Sequence, residues 1–475
     1  MVKSYVYTLV QSLTNAEVEH CHDFIRSPFI TKQFRDADSV SNLLQRLSSA
    51  DIPEKAVLNQ QLFPEEGHKT AKLDKLMNEL ASGIKQFLLW QKYMKPNHQF
   101  EQKLDWVETI RERGLIKRYQ QELKSLVKYV DRNARESTLW YYRKFQLAYE
   151  IHETESIRNN AKGDLYIPEV IDRLHAYFYV QRLELLNLLF LQKKVTSLEI
   201  PDHTHATTEG LIPAPIKANY PILLIAEAIH QQLITPLPKP VAFNTIMDLL
   251  KQHELSLESS VLQHFYAYLR NICILLIEDG HTAFTETLHQ IQKNNLEKGY
   301  LFYQGKLSPS AYMSVTRIAI QIGQYDWALQ FINDYKDRVM DSGDEVENLY
   351  YLNKALCWFA KGLYEKALQI IPPHFADVTY LIYSKRLELK IYFELNADLL
   401  VYRMDAYKMY LSRASKKYLP ASVKEPEKNF VNILLQIVQS PLRDKERFKK
   451  IRDRIHEKKH IADRDWLMEI VERRI

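Results

Sequence analysis

Only 11 of the 475 residues are glycine, about a third of the roughly 7% found on average. A chain so poor in glycine has few positions for positive φ angles or for close backbone approach to a ligand. Long helices tolerate that shortage. Hairpin-rich β folds and Gly-rich catalytic loops do not, so the expected fold class is all-α. Hydrophobic residues at 46% and charged residues at 26% match a soluble globular chain and not a disordered or membrane one. The length holds about two to four units of ordinary domain size.

The 64 basic and 59 acidic residues leave a net charge of +5, with the two signs interleaved. That balance is a weak argument for a polyanionic partner. The densest basic stretch, Arg443 to Ile475, carries twelve Lys or Arg against eight Asp or Glu, the pattern of a solvated amphipathic helix. Cys21, Cys273 and Cys357 are odd in number and far apart, which argues against a disulfide framework and for a reducing compartment. The apolar runs at Leu185 to Leu191 and Ile272 to Ile277 are far shorter than the roughly 18 residues a membrane span needs. The first residues, MVKSYVYTLVQSLTNAE, are too polar for a secretory signal. A cytoplasmic protein without a membrane partner is expected.

Periodicity and breaks divide the chain into five stretches. Residues 1–95 read as a bundle of short helices, with Leu73, Leu76, Leu80, Ile84, Phe87 and Leu88 forming one apolar stripe. Residues 96–194 read as three longer helices crowded with aromatics, as in WYYRKFQLAYE and HAYFYVQRLELLNLLF; such rings more often fill helix interfaces than stack bases. Residues 195–242 hold seven of the 18 prolines and mark the main boundary or one elaborated loop. Residues 243–418 read as paired helices, and 419–475 as charged helices.

Within that fourth stretch GQYDWAL (Gly323 to Leu329) returns as GLYEKAL (Gly362 to Leu368), 39 residues later. Tyr325, Ala328, Leu329 and Ile332 repeat as Tyr364, Ala367, Leu368 and Ile371, the i, i+3, i+4, i+7 face of a helix buried the same way twice. At these residues the chain resembles the tetratricopeptide repeat family. Ala355, Trp358, Gly362, Tyr364 and Ala367 match its packing positions in one unit; Tyr312, Ala319, Gly323, Tyr325 and Ala328 match in the preceding one. Thr316 stands where a small Gly or Ala is usual, and the interval departs from the family's roughly 34 residues. Degenerate versions occur near Gly280 and Asn396. The resemblance implies an irregular α-solenoid with a peptide-binding groove. Groove-lining candidates on the first helix of each pair are Arg317, Gln321, Asn348, Asn353 and Lys354.

Catalytic motifs come close and miss. His456-Glu457-Lys458-Lys459-His460 is a literal H-E-x-x-H, which on one helix would set two imidazoles beside each other for Zn²⁺, with Glu457 as base. Its histidines point away from the stripe of Phe448, Ile451 and Ile455 and lie among cations; Glu469 or Glu472 would have to be the third ligand. Asp202-His203-Thr204-His205 with Glu209 lies in a polar loop, and His20-Cys21-His22 fans too widely on a helix to converge on one ion. Gly299 to Lys306 has one residue too many for a phosphate loop and lacks its Ser or Thr. No cofactor is expected. The function expected is a non-catalytic scaffold or adaptor for a protein or peptide. Its rivals are a nucleic-acid-associated regulator, a zinc hydrolase at His456 and His460, and a purely structural subunit.

Overall fold

The computed structural model of the chain describes residues 4–49, 54–66, 71–132, 135–158, 166–195, 220–340, 344–415, 419 and 421–475. Among them are 22 α-helices and only one pair of two-residue strands, so the fold is all-α. Contacts divide the chain into two compact units, residues 1–134 with 139–177 and residues 135–138 with 178–475. The change of unit falls inside a helix, at Tyr177, and residues 220–242 belong to the second unit.

The first unit opens with α1 (Tyr5–Gln11), α2 (Asn15–Arg26), α3 (Ala37–Ser48), α4 (Lys55–Leu62) and α5 (Ala71–Tyr93). Thr14 and Glu17 form a reciprocal capping box that starts α2. The stripe expected on α5 is the core: Leu73, Leu80, Ile84 and Phe87 pack with Val10, Cys21, Ile25, Leu43 and Leu47. Gly83 sits mid-helix because a Cβ there would meet Ile25 and Phe34 at 3.2 Å. Next come α6 (Gln99–Glu112), α7 (Ile116–Arg132), α8 (Thr138–Arg158) and the start of α9 (Ile167–Val195). The stretch from Leu115 to Tyr149, in which a break near Arg132 is expected from the sequence, is two helices that part after Arg132, and Glu136 between them exchanges backbone hydrogen bonds with Ser256 and Glu258. Phe100, Leu104, Val107, Ile110, Tyr119, Leu126 and Leu147 make a separate core.

The second unit takes the end of α9 and then α10 (Pro221–Ile234), α11 (Pro240–His253), α12 (Ser259–Glu278) and α13 (Phe284–Glu297). Pro221 and Pro240 each sit in the first turn of their helices, where a missing N–H costs nothing. Prolines 201, 213 and 215, with the His203/His205 pair and Glu209, lie outside the described residues. Among the described residues α12 alone is long and apolar enough to cross a membrane, and half of it is buried in this unit, including Leu269, Ile272, Cys273 and Leu276. The near-miss phosphate loop is a β-hairpin: β1 (Phe302–Tyr303) pairs with β2 (Lys306–Leu307) through Gln304 and Gly305, at φ 49° and 80°. Two left-handed residues in a row are what a tight hairpin turn demands.

The remaining helices are α14 (Pro309–Gln321), α15 (Tyr325–Tyr335), α16 (Asp344–Ala360), α17 (Tyr364–Ile370), α18 (Val378–Glu394), α19 (Leu400–Arg413), α20 (Ala421–Val438), α21 (Lys445–Glu457) and α22 (Arg464–Glu472). Gly323 and Gly362 turn the chain at φ 76° and 75°. After each glycine the next N–H reaches back five residues, Gln324 to Ala319 O at 2.8 Å and Leu363 to Trp358 O at 2.9 Å. The same closure recurs at Gly280, where His281 reaches Leu276, and at Asn396, where Ala397 reaches Tyr392. One helix C-cap, satisfied through a left-handed residue, thus joins α12 to α13, α14 to α15, α16 to α17 and α18 to α19. Thr316 fits its packing position because its hydroxyl donates to Tyr312 O at 3.0 Å. Burial holds the three thiols protonated, with Cys21 and Cys273 pushed up to about 12 and Cys357 to about 11.

Candidate interaction surface

Helix α16 packs between α14 on one side and α18 on the other. Arg317, exposed on α14, spans to α18: its guanidinium donates to the Tyr383 hydroxyl at 3.2 Å and lies 5.0 Å from that ring. The Arg386 guanidinium lies 5.0 Å from the same ring, so Tyr383 is shared by two cations. On α16, Lys354 donates to the Tyr350 hydroxyl at 3.2 Å and stands 5.3 Å from the Tyr350 ring and 5.2 Å from the Trp358 ring. Arg317 and Lys354 are held by aromatic faces and hydroxyls, and Arg317 also lies close enough to Asp463 to help hold that carboxyl down. The ring and hydroxyl contacts orient a cation without neutralising it.

The other sequence candidates divide. Gln321 is exposed one turn beyond Arg317. Asn348 is half-buried and donates to His374 O at 3.2 Å, which ties α16 to the loop before α18. Asn353 is not on the surface. It is fully buried, within the arc of Leu349, Leu352 and Ala355, and its amide donates to Leu349 O at 2.9 Å one turn back. One residue turns a helix by about 100°, and Asn353, next to Lys354, falls on the core side.

Beside Arg317 lies a charged cluster. Arg386, 7% exposed, pairs with Glu427, 3% exposed, and its Nε is 3.4 Å from Asp463. Lys390 donates to Asp463 at 2.8 Å, and the Tyr407 hydroxyl donates to Glu427 at 3.0 Å. Lys390 also stands 4.8 Å from the Phe359 ring and 5.1 Å from the Trp466 ring. Burial alone would push the Asp463 carboxyl up, but the cations of Arg386 and Lys390 outweigh it and hold Asp463 well below the usual carboxylate range. Burial also opposes the charge on Arg386, and the two carboxylates reverse that and keep it charged. For Glu427 burial prevails over Arg386 and Tyr407 and raises the carboxyl. Asp463 adopts a left-handed backbone, φ 47°, at the start of α22 without capping it, since its side chain is committed to Arg386 and Lys390.

The H-E-x-x-H segment has no helix to hold it together. Helix α21 ends at Glu457, Lys458 is extended, and His456, Glu457 and His460 are all exposed. The Arg464 guanidinium takes the carbonyls of Ile455, Lys458 and Lys459, a cap supplied from beyond the helix, and that closure turns the chain before His460. Glu469 is paired with Arg473 and Glu472 lies 3.8 Å from Arg452. Among the described residues no three His, Cys, Asp or Glu side chains converge as a metal site, the His20-Cys21-His22 run included.

A second buried polar group lies between α9 and α10. The Asn187 amide donates to Ala226 O at 2.9 Å, which leaves its carbonyl facing His230 Nδ1 at 2.9 Å and assigns the proton to Nδ1. His230 Nε2 is buried without a partner, and the ring stands edge-on to Phe190. Burial lowers His230 to about 4, so the ring is neutral.

The sequence reading missed Tyr383, Arg386, Lys390, Glu427 and Asp463. Their one local signal is the spacing of Tyr383, Arg386 and Lys390 along a single face of α18. No family model, curated protein or solved structure matches this chain.

Proposed function

We propose that this protein is a non-catalytic cytoplasmic adaptor in which the hairpins from α12 to α19 stack as an irregular tetratricopeptide-like solenoid and bind a protein partner. The exposed face of α14, α16 and α18, with Arg317, Gln321 and Lys354, is the proposed binding surface. The observation that carries this reading is the state of Arg317 and Lys354. Each is positioned by an aromatic shelf and a hydroxyl and makes no direct ion pair among the described residues, although Arg317 lies within electrostatic reach of Asp463. Preorganised cations lose little side-chain entropy when a partner supplies the acceptor. The recurring turn at Gly280, Gly323, Gly362 and Asn396 supports the stacked arrangement, because identical closures set neighbouring hairpins at similar angles.

The test is capture of partners by the tagged full-length protein from its host lysate, with and without nuclease, read by mass spectrometry and nucleic-acid staining. The adaptor reading expects a defined protein that survives nuclease and is lost from the double variant Arg317→Ala/Lys354→Ala, with helicity and melting unchanged. Recovery of nuclease-sensitive material alone would refute it in favour of a nucleic-acid partner.

A further inference from the structure

Helix α12 carries a guanidinium that no described residue neutralises. Arg270 is half-buried, and among the described residues its one hydrogen-bond acceptor is uncharged. With the Asn295 amide oriented so that its nitrogen donates to Ile291 O at 3.3 Å, the amide oxygen accepts from Arg270 at 2.6 Å. Asn295 itself is fully buried. Burial pulls Arg270 down to about 10, and among the described residues no carboxylate offsets it. A guanidinium has five N–H donors and holds its charge at neutral pH, so one neutral oxygen leaves most of its capacity unmet.

A second hairpin shows the same seat filled. Arg270 stands ten residues before Gly280, the left-handed residue that closes α12, and Arg386 stands ten before Asn396, which closes α18. Equal distance from an equivalent turn puts both at one position of their hairpins. Met313 and Leu352 hold that position in the hairpins between, 4% and 0% exposed, so it faces the core. Arg386 stays charged there because Glu427 and Asp463 face it. A guanidinium drawn out of water without a counter-charge is costly, and a ligand that brings one to Arg270 lifts that cost.

The seat also sets the chemistry of that ligand. A guanidinium fork matches the two coplanar oxygens of a carboxylate. Among the described residues no second cation acts on Arg270, so the seat suits one negative charge and not a phosphate dianion. Gln263, Ala267, Ile274 and Ile277 share its face of α12 at steps of four and three, and all are half-buried. Past the arginine this face is apolar, with Ile274 and Ile277 about 6 and 10 Å further along the axis. A carboxylate on Arg270 therefore continues into an aliphatic body.

We infer that Arg270 and the α12 face beside it bind a small aliphatic monocarboxylic acid, its carboxylate on the guanidinium and its chain along Ile274 and Ile277. The site shares no residue with the Arg317 and Lys354 surface. The test is calorimetric titration of the full-length protein with octanoate, with acetate and octan-1-ol supplying the charge and the chain alone. Octanoate binds once per chain, and acetate and octanol each bind about tenfold or more weakly. Arg270→Gln lowers the octanoate affinity by about tenfold or more, with helicity unchanged. No octanoate binding at about 5 mM ligand overturns the inference. So does an affinity that Arg270→Gln leaves unchanged, or inorganic phosphate binding as tightly as octanoate. Should Arg270→Gln fail to fold, Arg270→Lys decides, because it keeps the charge and loses the fork: octanoate affinity falls if the seat is as described, and wild-type affinity overturns it.

Discussion

The second unit buries two polar clusters, and they are stabilised in opposite ways. Asn187 and His230 are kept neutral: one hydrogen bond joins them, another ties Asn187 to α10, and burial keeps the imidazole uncharged. Arg386, Glu427, Asp463 and Lys390 stay largely ionic, each cation facing a carboxylate. Burial penalises charge in both places. What decides the outcome is whether the counter-charge outweighs burial. Glu227 favours the proton on His230 and burial prevails, whereas two carboxylates keep Arg386 charged where α18, α20 and the turn before α22 meet.

Breaking the ionic cluster gives the largest expected effect. Glu427→Ala leaves a buried guanidinium short of one partner and lowers unfolding free energy by about 3 kcal/mol or more. The combined change Arg386→Met/Glu427→Leu recovers most of that, because desolvation of the pair offsets most of its attraction. Urea titration of the three proteins reads both numbers, and a double variant as weak as the single one would show that the pair contributes net stability.

The neutral cluster is probed by pH. Folded His230 holds its proton less firmly than an ordinary histidine near 6.5, so between pH 6.5 and about 4 the unfolded chain binds more protons and stability falls with falling pH. The loss sums to about 2 to 3 kcal/mol over that window. His230→Gln should flatten the decline, as read from melting curves at pH 4.5, 5.5 and 7; an unchanged slope would show that the imidazole is charged or solvated.

Asp463→Asn separates charge from backbone, because Asn tolerates the left-handed conformation as well as Asp does. Its folded carboxyl is depressed, so its contribution is present above the ordinary value of about 3.9 and is lost as pH falls below it. The variant is expected to be about 1 to 2 kcal/mol less stable at pH 7, with the gap closing toward pH 2. Smallest is Gly323→Ala, a control outside both clusters. A Cβ there meets nothing within 4 Å, so the roughly 1 kcal/mol loss expected from calorimetry is backbone strain alone.

What the sequence made legible is local. Helix faces such as Leu73 to Phe87 depend on residues within a few positions of each other, and that one appears in the structure where the periodicity placed it. What stayed hidden is non-local. Arg386, Glu427 and Asp463 are separated by about 40 residues at each step, so no spacing rule links them. The end of α21 depends on Arg464 reaching back, and Glu136 bonds to residues near 257. Asn353 was misplaced for a subtler reason: an isolated polar residue inside an apolar arc carries no sign that its Nδ2 donates to its own helix while its Oδ1 is buried without a partner.

The three buried thiols give the molecule a set of internal clocks. Cys21 lies in the core of the first unit, Cys273 and Cys357 in the second, and none is ionised or open to solvent in the folded chain. Alkylation of each therefore waits on the opening of its own surroundings. A timed pulse of a thiol reagent, followed by peptide mapping, would report separately how often each unit breathes, with no label added to the native sequence.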